Sequence, residues 1–183
     1  MPQGRRGFLG RGLLLLATSF VRRASAQGFA LPFRPLARPV LVPLENLATP
    51  WQAWQFVADG VTLSSAATPD QPIRITGLVV RTAANANSPD QFAAVCVRCP
   101  HEGCDVSFVP DSTRLPAEVK DAIGRPVPHG VYVCPCHNST FNPEDGERLA
   151  GPAPRGLYRF NVTRVTEAVV EIGEVEEDVL IFV

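Results

Sequence analysis

Two short segments carry side chains that ligate metals: Cys99-Pro100-His101-Glu102-Gly103-Cys104 and Cys134-Pro135-Cys136-His137-Asn138-Ser139. Each offers one thiolate and one imidazole at close spacing, as Cys99-x-His101 in the first and Cys134-x-x-His137 in the second. Each also holds one further cysteine, Cys104 or Cys136. Two thiolates and two imidazoles make a four-ligand site for a transition metal.

These segments resemble the cluster-binding boxes of the Rieske iron-sulfur family, which read C-x-H-x-G-C and C-P-C-H-x-S. The resemblance implies a 2Fe-2S cluster with Cys99 and Cys134 on one iron and His101 and His137 on the other. It also implies a disulfide from Cys104 to Cys136 that ties the two loops together. It extends to Gly151-Pro152-Ala153-Pro154, similar to the proline loop that covers the cluster from a third side, and it runs from about Gln91 to Phe160.

The charge balance of such a site is favourable for electron uptake. Two ferric ions, two sulfides and two thiolates sum to zero, whereas a four-thiolate cluster carries two negative charges and resists reduction. Histidine ligation therefore raises the potential into a window of roughly −150 to +300 mV. Such a centre takes up one electron and returns it.

Residues beside the ligands tune that chemistry, because hydrogen bonds to the sulfurs favour the reduced cluster. Ser139 matches the family serine that donates such a bond, while Phe141 stands where high-potential members carry a tyrosine and reads equally as core packing. One donor kept and one lost implies an intermediate potential. Glu102 stands where quinol-oxidising members place a leucine on the apolar tip that enters the quinol pocket, and Arg98 is placed to pair with it. Asn138 replaces the usual glycine, as a left-handed turn allows.

Two other residues bear on alternative sites. Cys96 forms an apparent C-x-x-C with Cys99, and a zinc knuckle would combine that pair with Cys134, Cys136 or His137. That reading leaves His101 and the proline loop unexplained, and Cys96, at the end of an apolar run, reads as a buried free thiol. His129, between Pro128 and Gly130, reads as a surface loop residue. A Rieske oxygenase also needs a mononuclear iron held by two histidines and a carboxylate. One spare histidine cannot supply that, so the chain is not an oxygenase by itself.

The elements that must position these loops follow from composition and pattern. A chain of 183 residues, 45% apolar and 19% charged, gives one globular domain with a real core and no room for a second enzyme domain. Strand-like runs at Trp51–Val57, Ile73–Arg81, Gln91–Val97, Val131–Cys134, Gly156–Val162, Ala168–Ile172 and Val179–Phe182 are separated by Gly, Pro, Asn and Asp clusters. They predict an all-β fold of stacked antiparallel sheets with a small cluster-binding part at about 91–160. In the stretch 105–133 between the metal loops, Pro116 opens a short helix that Gly124 closes, with Pro126 just beyond.

Ahead of the domain at 51–183, residues 27–50 carry prolines at 32, 35, 39, 43 and 50 and read as an extended, solvated arm with one edge strand at Val40–Val42. Residues 1–26 hold five arginines and no acid; Gly4-Arg5-Arg6-Gly7-Phe8-Leu9, an apolar run from Gly12 to Val21 and Ala24-Ser25-Ala26 make a secretory signal of twin-arginine type. A spanning helix needs about 20 apolar residues. Here ten lie between Arg11 and Arg22-Arg23, which points to cleavage after Ala26 rather than a membrane anchor. The remainder has 12 basic against 18 acidic residues, a net of −6, which argues against nucleic acid. The six acids between Glu167 and Asp178 read as a solvated face.

Together these readings give an exported, periplasmic one-electron carrier that is an oxidoreductase subunit or soluble partner rather than a stand-alone enzyme. Its expected partners are redox proteins, a cytochrome or a larger oxidoreductase subunit, with membrane association only peripheral and through a complex. Three rivals share parts of the pattern. They are the iron-sulfur subunit of a quinol-cytochrome c reductase complex, the small subunit of an arsenite-oxidase-like molybdenum enzyme, and a structural zinc module.

Overall fold

A computed structural model describes residues 32–64, 69–84, 87–177 and 179. The signal segment lies outside them, as does the strand expected at Val179–Phe182 save for Val179, which is not in a strand. Six strands form the larger sheet: β1 Phe33–Pro43, β2 Ala53–Ser64, β3 Pro69–Arg81, β4 Phe92–Cys96, β9 Arg159–Val165 and β10 Val169–Glu176. Their order is β1-β10-β9-β4-β3-β2, antiparallel throughout. The two edges, β1 and β2, come back into contact, so the sheet curls around its core.

Between β4 and β9 the chain builds a second antiparallel sheet in the order β5-β6-β7-β8, from Ser107–Val109, Val131–Val133, Thr140–Phe141 and Arg148–Ala150. Strand β4 is the wall between the two halves. Phe92, Ala94 and Cys96 point into the core of the larger sheet, with Phe56, Ile172 and Phe160. Val95 and, just beyond the strand, Val97 point into a second core with Tyr132, Phe141 and the metal-loop cysteines Cys99 and Cys134. A strand buried on both faces needs apolar residues at consecutive positions, and Phe92-Ala93-Ala94-Val95-Cys96-Val97 supplies them. Cys96 is thus a buried free thiol, as its sequence position implied.

The helix expected after Pro116 is present as α1, Ala117–Ile123, with Pro116 at its N-cap and Gly124 closing it at φ 67°. It covers a third, smaller core of Leu115, Val119 and Val131 on the far side of β6. The arm, by contrast, is more than a solvated linker. Phe33–Pro43 is an edge strand along the whole of β10, with its register broken between Pro35 and Val40. Prolines are tolerated there because an edge strand has one row of N–H groups with no ladder to serve. Among the described residues no helix is long and apolar enough to cross a membrane.

Candidate metal centre

The two metal loops are built alike. In the first, the Cys99 N–H donates to the Cys104 carbonyl at 2.9 Å and the Gly103 N–H donates back to the Cys99 carbonyl at 2.9 Å. In the second, the Cys134 N–H donates to the Ser139 carbonyl at 2.8 Å and the Asn138 N–H to the Cys134 carbonyl at 3.0 Å. Both loops turn on a left-handed residue four places after the first cysteine, Gly103 at φ 73° and Asn138 at φ 55°. Asparagine is one of the few side chains that accept this conformation, so Asn138 keeps the turn that glycine makes in the partner loop.

Similar loops facing each other place like side chains together. Cys99 and Cys134 are buried together in the second core. Burial pushes the Cys99 thiol above the usual range and the neighbouring Cys134 adds to that rise, while the polar hydrogens of the His101 backbone and the Ser139 side chain oppose it. A buried thiol that resists ionisation is relieved by a bound metal ion, which deprotonates coordinating thiols outright. On the outer side the rings of His101 and His137 meet edge to face, 4.8 Å between centroids, and the His137 side chain is 45% exposed. Cys104 and Cys136 form the expected disulfide between the loops. Their sulfurs lie near that of Cys134, but a disulfide sulfur has no thiolate to give. Inner thiols and outer imidazoles therefore fit a two-iron centre with one soft and one nitrogen-ligated end.

The zinc alternative comes apart on the same geometry. Cys96 lies in the core of the larger sheet and Cys99 in the other, on opposite sides of the β4 wall, and Cys136 is spent in the disulfide. A profile of the Rieske [2Fe-2S] domain matches residues 50–163. The chain belongs to the Rieske family. Its cofactor is a 2Fe-2S cluster, and the protein is a Rieske iron-sulfur electron carrier. Among solved structures it is similar to the cyanobacterial plasma membrane Rieske protein PetC3 from Synechocystis PCC 6803, at 24% identity and a TM-score of 0.34, over 62% of this chain and 96% of that one. No curated protein matches the sequence.

Around the Rieske loops three further contacts form the covering layer. Ser139 is fully buried, and its Oγ accepts a hydrogen bond from the Ala153 N–H at 3.1 Å. Gly151 crosses directly over Ser139 at φ 90°, where a Cβ would lie 2.4 Å from the Ser139 Cα, so only glycine fits. Arg148, which the sequence alone did not mark, reaches under the loop with Nη1 to the carbonyls of Gly151 at 3.1 Å and Ala153 at 2.9 Å. Pro152 stands exposed on this loop, and Phe141 is buried in the second core opposite Tyr132.

Two expectations at the rim are corrected. Arg98 does not pair with Glu102; its guanidinium donates to the Gly103 carbonyl at 2.7 Å and pairs with Asp105 at 3.3 Å. Glu102 turns to the histidines instead, 4.0 Å from His101 Nε2 and 3.7 Å from His137 Nδ1. Nor is His129 a surface residue: its ring stacks on Trp51 at 4.5 Å and its side chain is only 15% exposed. Its Nδ1 donates to the Gly130 carbonyl at 2.9 Å, leaving Nε2 to face Glu144 at 3.9 Å. Sequence spacing carried no signal for this, since Trp51 is brought in from the start of the other sheet.

Proposed function

We propose that this Rieske protein is an exported one-electron carrier that acts as a subunit or soluble partner of a periplasmic or membrane-bound oxidoreductase. Cys99 and Cys134 hold the inner iron and His101 and His137 the outer one. When bound, the cluster supplies reversible uptake of a single electron at the histidine end. The chain's own part is to bury the thiolates, leave the imidazole edges open to a partner and hold the loops still while charge changes.

The observation that carries the reading is the exposed carboxylate of Glu102 between the two imidazoles. A carboxylate at an open face of the centre is costly to seat in an apolar quinol pocket, because burying a charge without a partner is strongly unfavourable. A redox protein that offers a cationic or polar face meets it at little cost. The Arg5-Arg6 signal supports export, since twin-arginine transport carries proteins already folded around a cofactor.

Affinity isolation from native periplasm and membranes, with identification of what co-purifies, tests the proposal. A c-type cytochrome or a larger oxidoreductase subunit, recovered with a form that begins at Gln27, is the expected result. Recovery with a cytochrome b and an intact amino terminus would instead select the quinol-oxidising complex. Recovery with a molybdopterin subunit would select the arsenite-oxidase-like assembly. Purified protein should contain two irons per chain, and replacing His101 or His137 should abolish the reduced-state paramagnetic signal while replacing His129 should not.

A further inference from the structure

A hydroxyl has one hydrogen to donate and two lone pairs with which to accept. At Ser139 one lone pair is occupied by the Ala153 N–H at 3.1 Å, so the hydroxyl hydrogen cannot point that way. It is left to turn toward the sulfurs of the centre, as the resemblance of Ser139 to the family serine implies. The direction of this bond therefore depends on where the Ala153 N–H is held. Ala153 sits between Pro152 and Pro154, so its amide is the only backbone donor in that tripeptide, and Ser139 has no substitute within it.

What fixes that amide is a side chain outside the loop. The Arg148 guanidinium donates from one nitrogen to the carbonyls of both Gly151 and Ala153. It thus grips the peptide units on either side of Pro152. Gly151 is meanwhile pressed onto the Ser139 backbone, where no Cβ fits, so the loop is pinned at one end by contact and at the other by charge-assisted hydrogen bonds. We propose that Arg148 is a positioning residue for the redox centre: by holding the proline loop it aims the Ala153 N–H at Ser139, which in turn leaves the Ser139 hydroxyl aimed at a sulfur of the centre and raises the reduction potential. The inference rests on Cys99 being an iron ligand, as read above.

Hydrogen bonds to the sulfurs favour the more negative, reduced cluster, so losing the aim of one lowers the potential. Arg148 is exposed and belongs to none of the apolar cores, so its replacement leaves those cores intact. Voltammetry on iron-loaded protein provides the test. Arg148→Met, which keeps the stem and removes the donors, is expected to shift the redox equilibrium toward the oxidised form by about threefold to tenfold, tenfold being about 59 mV for one electron. Arg148→Lys, which retains a cationic donor, should recover most of the difference. Ser139→Ala should lower the potential further, and adding Arg148→Met to Ser139→Ala should then change nothing.

That last comparison separates aiming from loosening. If Arg148 merely kept water off the cluster, its loss would lower the potential equally in both backgrounds, and that result, or an unchanged potential in Arg148→Met alone, overturns the inference. Exchange of the Ala153 amide in iron-free protein gives a second readout that needs no cluster. It should quicken at least tenfold in Arg148→Met and stay slow in Arg148→Lys, and equal rates in all three proteins overturn the inference. Cys99→Ser tests the underlying ligand reading separately. Retention of two irons there removes the ligand role, whereas iron loss there with an unmoved potential in Arg148→Met removes only the role of Arg148.

Discussion

Strands β2 and β3 run 12 and 13 residues and share a long antiparallel ladder, whereas β5, β6, β7 and β8 run only two or three residues each. Ladders that short are marginal in water, so the smaller sheet needs other fastenings. It has the disulfide between its loops, the Arg148 grip on the proline loop and, in the loaded protein, iron bonded to both loops. The larger sheet relies on apolar burial and, at β10, on a buried carboxylate. Glu176, 1% exposed, accepts hydrogen bonds from the guanidinium groups of Arg155 at 2.9 Å and Arg159 at 2.7 Å. One region is thus stable by extent and the other by cross-linking. This suits a centre whose loops must not relax when an electron arrives.

Cutting a cross-link should separate the two regions most sharply. The Cys104–Cys136 bridge spans 32 residues, and opening it with Cys104→Ser is expected to cost about 3 to 4 kcal/mol in the chain-entropy model. The loss should be local. Amide exchange should quicken across β5 to β8 and iron should dissociate faster, while β2 and β3 stay protected. Equal quickening in β2 and β3 would mean that the two sheets unfold as one unit.

The converse change strikes the larger sheet. Glu176→Gln leaves two guanidinium groups without their carboxylate, and breaking a buried pair in this way costs about 3 to 5 kcal/mol. The arginines are each about a third exposed and can turn to water, so the lower end is expected. Chemical denaturation should show it as an earlier midpoint with the paramagnetic signal of the reduced protein intact. A changed signal in the folded variant would show that Arg155, next to the proline loop, transmits strain from one region to the other.

The cross-linked region was far easier to read in the sequence than the extended one. Cysteine and histidine spacing is a local property, and each loop closes on itself through two backbone bonds, so ligand types, helix caps and the left-handed turn at Asn138 are all visible in a few consecutive residues. Of strand β1 only Val40–Val42 was legible, because the prolines before it mask the pattern that its pairing with β10 tolerates. Strands β5, β7 and β8 are too short to show a period. Glu176 sat in an acidic run that reads as solvated. The register shifts of β10 on either side of Ile172 break the simple alternation, and Val175 and Glu176 are both buried. The stacking of His129 on Trp51, and the turn of Glu102 toward the histidines, are set by parts of the chain that sequence spacing does not connect.

A smaller effect should appear on the alkaline side of the larger sheet. Burial pushes the Cys96 thiol up to about 11 from an ordinary value of 9.0. Between those values the unfolded chain loses this proton and the folded one keeps it, so the contribution is fully present below pH 9 and is lost as pH rises toward 11. Two units correspond to about 2 to 3 kcal/mol. Urea unfolding from pH 8 to 11 should therefore fall more steeply for the native protein than for Cys96→Ala, after allowing for the constant offset from the trimmed side chain. Parallel curves would mean that the thiol reaches water in the folded state.

The smallest change tests whether the second core is complete without its polar groups. Tyr132 is fully buried against Phe108, 5.3 Å between ring centroids, and its hydroxyl has no hydrogen-bond partner among the described residues. A buried hydroxyl without a partner costs about 1 to 3 kcal/mol of desolvation, and removing it returns that cost while the ring keeps its contacts. Tyr132→Phe is therefore expected to leave stability unchanged or raise it by about 1 kcal/mol near neutral pH. Burial also pushes the phenol well above its ordinary value of 10.0, so from pH 10 upward the unfolded chain alone would ionise, and the variant should gain further on the native protein there. A loss of 1 kcal/mol or more at neutral pH would show instead that the hydroxyl is bonded in solution, through a trapped water. The smaller sheet would then owe part of its rigidity to a buried polar contact as well as to its cross-links, and the contrast with the larger sheet would narrow accordingly.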